Sequence, residues 1–499
     1  MHAVSILTIP LDVLTTILGI LGPLDAVRAR QTCKHIRDAC LRHTVWANIL
    51  CEMMLQHDIH PTTYPLRKLN QETLEHLVLC PRKFRQKLED ASEKVSKSLS
   101  PISAQYALYD PTEAELEALG IESLLHYQWL DLCPGGRYMM TSRLVHKTNG
   151  GSRWTNFFQL WDLGIVGVPQ CTRVVAGLVP DALENKEYQW EKDRFSMGPW
   201  KFGNQIVVRV HRQRLMGANT YTRGTRILIN LSAIDPRILH STSSTRDRES
   251  FSSMLWCYSR SYGIWRSTAA SCDPLTDTSA KSWKVLKPHE GQVDAITVFG
   301  DRLLVLKDNH IAQWSRPITS DDPNHIPVCT YTNLICDMNA SDVGHRLHLT
   351  PFNPWSVDSP RPDFMVLFQA KNLAVYRMEA HPVDKEDTKS PDIFPRCIQK
   401  HIDMYDIARA SYSPARACDG QLIFTSCDSR PNTEIRIHIA PTDTKTNPVG
   451  CVKTKGMGPR RITASQHVLC PATGRMCVLT SNNEMMILDF VEPPNSLTE

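Results

Sequence analysis

Two short runs in this 499-residue chain carry residue types that could do chemistry. His289-Glu290 opens the helical zinc-hydrolase pattern, which needs a second histidine one helical turn later so that two imidazoles hold the ion. Gly291 follows and no histidine comes at that spacing, so the pair reads as a turn before a strand. Gly456-Met457-Gly458 is half of a phosphate-binding glycine motif, but Pro459, Arg460 and Arg461 follow, and it too reads as a turn. No nucleophile elbow and no phosphate loop occur elsewhere. The 16 cysteines are scattered singly, without a C-x-x-C pair or a zinc-ligand block. The reading is of a chain with no catalytic residues, no metal site and no cofactor: not an enzyme.

Composition narrows the class further. Hydrophobic residues make up 42% and charged residues 22%, ordinary globular values. Formal charge is +4 from 56 basic and 52 acidic residues, too balanced to argue for nucleic acid or a membrane surface as partner. The basic cluster at Arg209, His211, Arg212 and Arg214 reads as a solvated face. Ile6 to Leu21 is apolar, yet Pro10 and Asp12 interrupt it and no basic region precedes it. It makes a poor signal peptide and a poor membrane span. Reduced thiols in the cytosol or nucleus are expected.

Chemistry being absent, the elements become the question. Pro10 suits a helix start, and Asp12 favours the positive end of its dipole. Leu11, Val13, Leu14, Ile17, Leu18, Ile20 and Leu21 then fall within barely three turns, more apolar surface than one buried face needs. Gly22-Pro23 breaks this helix. A second carries Leu24 and Val27, with Cys33 near its end, and a third spans roughly Lys34 to His43 with Ile36, Ala39 and Cys40 inward. Trp46 and Leu50 close the unit. So small a helical unit cannot normally bury enough surface to stand alone. Surplus apolar surface on its first helix suits either a docking module or a cap packed on the rest of the chain.

The run Ile9-Pro10-Leu11-Asp12-Val13-Leu14, with Ile17-Leu18, Leu21, Pro23-Leu24-Asp25, Cys33-Lys34, Ile36-Arg37, Trp46 and Leu50, resembles an F-box. Ile9 replaces the usual Leu before the proline, and Ile36 stands where many members carry Trp. The resemblance covers residues 1–50, about a tenth of the chain. It implies that Ile9, Pro10, Leu11, Val13, Leu14, Ile17, Leu18, Leu21, Leu24, Val27, Cys33, Ile36 and Trp46 form the adaptor-binding set. The partners it implies are a Skp-type adaptor and the cullin of an SCF ubiquitin ligase, with an unknown protein as substrate. No RING-like Cys/His array occurs, so partners would carry out ubiquitin transfer.

Residues 51–118 read as a helical linker. Asn70 can cap a helix bearing Leu74, Leu77 and Val78; Pro81 should end or restart it. Phe84, Leu88, Ala91 and Val95 recur at helical spacing, and Glu93 with Lys97 makes an i, i+4 pair. The segment is either an arm between two domains or a helical layer of the second.

Past residue 119 the apolar period drops to two. A turn, Gly-led in five copies, then an aliphatic strand, a polar turn and a second strand return six times. The pairs are Tyr138–Met140 with Gln159–Leu163, Ile206–Val208 with Ile227–Ile229, and Leu303–Leu306 with Ile311–Trp314. Then come Met365–Phe368 with Leu373–Tyr376, Leu422–Phe424 with Ile435–Ile437, and Met476–Leu479 with Met486–Asp489. Trp161-Asp162 resembles the ending of a WD repeat. With a further unit around Met254 to Val285, the expected fold is a β-propeller of six to eight blades spanning 119–499 and folding without the helices. A pair of β-sandwiches is the alternative. Polar inserts at His240–Ser253, Arg316–Pro327 and Glu379–Pro395 read as surface loops. The whole is a multidomain chain, an all-α F-box-like module and helical linker before an all-β substrate-binding domain. Two other functions stay open: a scaffold outside any ligase, and a propeller hydrolase.

Overall fold

The computed structural model of the chain describes residues 9–57, 59–94, 97–107, 111–147, 153–168, 172–178, 192–199, 205–216, 219–230, 237–243, 293–299, 302–307, 310–315, 329–333, 346–349, 364–369, 372–380, 393–401, 410–412, 416–419, 421–428, 435–441, 451–454, 464–480 and 482–494. Helices come first: α1 (Leu11–Gly19), α2 (Pro23–Ala29), α3 (Lys34–Cys40), α4 (His43–Gln56) and, after a 3-10 turn at Leu66–Lys68, α5 (Gln71–Glu93). The domain boundary drawn at residue 50 falls inside α4, whose buried residues Val45, Trp46, Ile49, Leu50, Met53 and Met54 run past it.

α5 starts where Asn70 Oδ1 accepts the Thr73 backbone N–H at 2.8 Å. It does not stop at Pro81, which lies buried inside the helix. A proline in a helix interior costs about 3 kcal/mol, while each buried aliphatic or aromatic side chain returns about 1.5–3 kcal/mol. Leu74, Leu77, Val78, Phe84 and Leu88 are all buried on one side, so burial carries the helix through the break. The expected Glu93–Lys97 pair does not share a helix, because α5 ends at Glu93 and Lys97 turns at φ 41°. α5 touches the strands that follow. It is a layer laid on the sheets, not a free arm.

Strand begins earlier than expected, with β1 (Ser98–Leu99) and β2 (Ser103–Ala107), so the helical reading of 51–118 fails over 98–107. The short α6 (Glu113–Ala118) follows, its start fixed by a capping box between Thr112 and Glu115. Then come β3 (Ile121–Leu132), β4 (Tyr138–Lys147), β5 (Arg153–Asp162) and β6 (Arg173–Leu178); β7 (Lys192–Pro199), β8 (Gln205–Met216), β9 (Asn219–Asn230) and β10 (Arg237–Ser243). Next are β11 (Val293–Phe299), β12 (Arg302–Lys307), β13 (His310–Ser315) and β14 (Cys329–Asn333); β15 (Arg346–Leu349), β16 (Phe364–Gln369), β17 (Asn372–Ala380) and β18 (Ile393–His401). Last are β19 (Ala410–Tyr412), β20 (Arg416–Cys418), β21 (Gln421–Asp428), β22 (Ile435–Pro441) and β23 (Cys451–Thr454), then β24 (Ala464–Cys470), β25 (Arg475–Thr480) and β26 (Met485–Asp489).

Six sheets form among the described residues. Four are meanders in chain order: β3–β6, β7–β10, β11–β14 and β15–β18. In the fifth, β19 and β20 both pair with β21, then β22 and β23 follow, and β1 adds in parallel at the far edge. The sixth is β24, β25 and β26, with β2 antiparallel to β26 as its fourth strand. First strands of neighbouring sheets lie together, β24 against β3, β3 against β7 and β11 against β15. Repeated four-stranded meanders joined through their first strands, with two sheets each taking a strand from the other end of the chain, are the architecture of a β-propeller. The unit expected near Met254–Val285 lies outside the described residues, as does the insert Arg316–Pro327. Parts of the other two inserts are strand and not loop: His240–Ser243 pairs with β9, and Glu379, Ala380 and 393–395 belong to β17 and β18. No helix among the described residues is long and apolar enough to cross a membrane.

Because β2 completes the sixth sheet and α5 covers its turns, a chain beginning at residue 119 lacks both. It should melt lower than the full chain by on the order of 10 °C in calorimetry, or lose its cooperative transition. Acid should act through three buried histidines. Burial pushes His60, His76 and His467 down to about 4 from the usual 6.5. Between those values the unfolded chain binds more protons, so this stability is fully present above about pH 6.5 and lost as pH falls toward 4. At pH 5 each contributes a loss of about 2 kcal/mol. Asp131, raised to about 6 by burial, has the opposite sign and offsets part of it. Urea midpoints measured from pH 7 to pH 5 should therefore fall.

Candidate docking site

The site is built on α1. Pro10 is its N-cap, with Leu14 N–H reaching back to the Pro10 carbonyl at 2.9 Å, and Asp12 lies in the first turn. The helix has two apolar stripes. Leu14 and Leu18, one turn apart, are 2% and 3% exposed and point inward. Val13, Ile17 and Ile20, at i, i+4 and i+7, are 45%, 41% and 82% exposed and point outward. α1 can lie close to α4 because Gly19 has no side chain; a Cβ there would stand 3.0 Å from Asn48 Nδ2.

Trp46 holds the other helices to this pair. It is fully buried, its Nε1 donates to the Cys40 carbonyl at the end of α3 at 2.8 Å, and the Arg30 guanidinium lies 6.0 Å from its ring. Arg30 in turn pairs with Glu75 of α5 at 2.8 Å. Cys40 Sγ reaches the Ala26 carbonyl of α2 at 3.7 Å.

The residues singled out by sequence therefore divide. Leu14, Leu18, Ile36 and Trp46 are buried and hold the module together. Ile9, Leu11, Leu21, Val27 and Cys33 are half-buried, packed against the same core. Val13, Ile17 and Pro10 face solvent. Leu24 is half-buried and lines a cleft of about 740 Å³ between α2, α4, α5 and the turn at Asp419. Ile20, the most exposed of the stripe, lies outside the set read from sequence, though its i, i+7 relation to Val13 puts it on the same side of the helix.

Sequence reasoning also missed the seam beneath the module. Tyr64, 3% exposed, donates its hydroxyl to the Gly135 carbonyl at 2.6 Å, and Arg137 Nη1 donates to the Thr63 carbonyl at 2.9 Å. Gly135, at φ 96°, takes a left-handed turn that brings Ile59 to 2.9 Å of where a Cβ would be. Arg85 of α5 donates to the Asp419 carbonyl at 2.7 Å, and Lys87 pairs with Glu492 at 2.8 Å.

Among the described residues no group of His, Cys, Asp and Glu could hold a metal ion. Burial pushes the Cys80 thiol up to about 12 and those of Cys133 and Cys477 higher still, so these thiols stay protonated. His289-Glu290 and Gly456–Pro459 lie outside the described residues.

Residues 6–52 match the F-box-like family, and the fold is thus an F-box-like helical module followed by a propeller-like β region. Two solved structures similar to the chain are the C-terminal WD40 domain of Sif2, at 11% identity, covering 74% of this chain and 97% of that one with a TM-score of 0.32, and a mitotic checkpoint complex chain, at 8% identity, covering 77% and 98% with a TM-score of 0.29. No curated protein matches the chain.

The two stripes of α1 should separate by mutation. Leu14→Ala should cost about 2–5 kcal/mol of unfolding free energy, since it leaves a cavity in the module. Ile20→Ala should stay within about 0.5 kcal/mol of the parent. Denaturant titration of both variants checks this.

Proposed function

We propose that this chain is a non-enzymatic substrate receptor, docking through α1 on a Skp-type adaptor within a cullin-based ubiquitin ligase. The observation that carries the reading is the outward stripe Val13, Ile17 and Ile20 lying within a segment that matches the F-box-like family. A solvent-facing apolar stripe on a helix whose inner face is already buried has no role in folding, and association with a partner would remove it from water. Pro10 and the half-buried Ile9 extend it at the helix start. The β region would hold an unidentified protein substrate. Helices and the segment before α5 already cover one end of its strands, at the turns near Gly135, Asp419 and Gly474, so we assign the substrate to the opposite end. We place the protein in the cytosol or nucleus, where such ligases work.

The test uses the full chain and a purified Skp-type adaptor in isothermal titration. Each aliphatic contact is worth about 1.5–3 kcal/mol, so Val13→Asp with Ile17→Asp should weaken binding at least about a hundredfold. The melting temperature should move little, because both positions are exposed. Wild-type chain that does not bind the adaptor at micromolar concentration sinks the reading. Recovery of a cullin with wild-type chain, and its loss with the double variant, would extend it to the ligase.

A further inference from the structure

The docking module has no floor of its own. α1 packs on α4, α4 on α5, and α5 on β1 and β23. Beneath them one apolar cluster runs without a break from Leu14 and Trp46, through Ile59 and Leu77, into Cys470 and Ile487 of the sixth sheet. Ion pairing spans the same distance along the chain: Lys87 and Glu492, joined at 2.8 Å, are 405 residues apart. That sixth sheet is itself unfinished until β2 adds its last strand.

Polar contacts make the joint specific. Arg475, 3% exposed, binds Asp489 through two hydrogen bonds of 2.7 and 2.9 Å and gives Nη1 to the carbonyls of Gly136 and Gly164 at 2.9 and 2.8 Å. Those carbonyls lie in the neighbouring sheet's turns, next to the Gly135 that receives Tyr64. Gly474, at φ 65°, precedes Arg475, and a Cβ there would meet Phe84 of α5 at 2.9 Å and Val491 at 2.7 Å. The contact leaves no room for even a methyl group.

We propose that the C-terminal sheet is the conditional support of the docking module. α1 and α4 hold the arrangement that presents Val13, Ile17 and Ile20 only while β24–β26 and β2 are closed together beneath α5. Four short helices bury too little by themselves. Regions that share one core open as one cooperative unit, so opening the joint should loosen helices that do not touch it. A chain whose β region is incomplete or opened would then fail to dock, and only a finished receptor would enter the complex. This last consequence rests on the docking reading; the coupling does not.

Hydrogen exchange of the full chain without any partner tests the coupling. Gly474→Val strains the left-handed turn and overlaps Phe84; Tyr64→Phe removes one hydroxyl and keeps the ring. In both, amide protection in α4 and α1 should fall with that in α5, tenfold or more for Gly474→Val and less for Tyr64→Phe, while β12 and β13 keep theirs. Where Gly474→Val unfolds the whole chain, Tyr64→Phe decides. Protection of α1 and α4 that stays within twofold of wild type overturns the proposal. Adaptor affinity is the second readout, and Gly474→Val should lower it at least tenfold with the α1 stripe untouched. If the wild type itself does not bind while the three helices still lose protection together, docking fails and the coupling stands.

Discussion

Phe84 of α5 and Phe490, one residue past β26, lie with ring centroids 6.0 Å apart, both fully buried. Much else depends on this contact. It sits in a cluster with Leu88 and Leu99 on one side and Met476, Val478 and Leu488 on the other. A helix crossing its own proline needs an external surface to repay the missing hydrogen bond, and the C-terminal sheets supply it. Held in this way, α5 is the ground on which α4 stands, and α4 carries α1. The position of the outward stripe follows from a core whose two halves are made at opposite ends of the chain.

Charge reinforces this joint by repetition. Arg137, the residue before the second strand of one sheet, meets Asp162 at the end of the third; Arg475, the first residue of the second strand in the adjoining sheet, meets Asp489 at the end of its third. Buried pairs of this kind gain little net stability from Coulomb attraction, because desolvation consumes most of it. Their value lies in the remaining donors. Arg137 spends one on the Thr63 carbonyl and Arg475 spends others on Gly136 and Gly164, so the first is satisfied only with the segment before α5 in place and the second only with the neighbouring sheet's turns. The pairs thus specify register between layers more than they add to its strength.

How much of this was legible follows from which physical signals are local. All six strand pairs read from sequence are the second and third strands of the six sheets, joined by their own hairpins. An aliphatic run, a turn and another aliphatic run mark a hairpin within some twenty residues. First and last strands such as β7 and β10 carry more polar residues and were not read. β2 could not be read at all, since its partner β26 lies near the other end of the chain and Ser103–Ala107 has no apolar alternation to announce it. In the helical module the apolar positions of α1 were all visible. Which of them faced inward was not, because a helix apolar on two sides looks the same whichever side meets α4. Only the Gly19–Asn48 approach and the packing of α4 fix Leu14 and Leu18 as core.

The same geometry gives the molecule two distinguishable ends. Turns between first and second strands, at Cys133–Arg137, Cys470–Gly474 and Asp419, point toward α5 and the segment before it. The opposite ends carry the β25–β26 turn, where Asn483 accepts the Tyr127 N–H at 2.6 Å, and α6, which packs through Leu116 and Leu119 against Ile121. α6 leaves Glu113 and Glu117 in solvent there. Backbone turns packed under a helical layer are committed, and changes of length in them would disturb the joint at Gly135 and Gly474. The β25–β26 turn at the other end bonds β3 through Asn483 and lies away from that joint. The depth of the sheets therefore separates that end from α1.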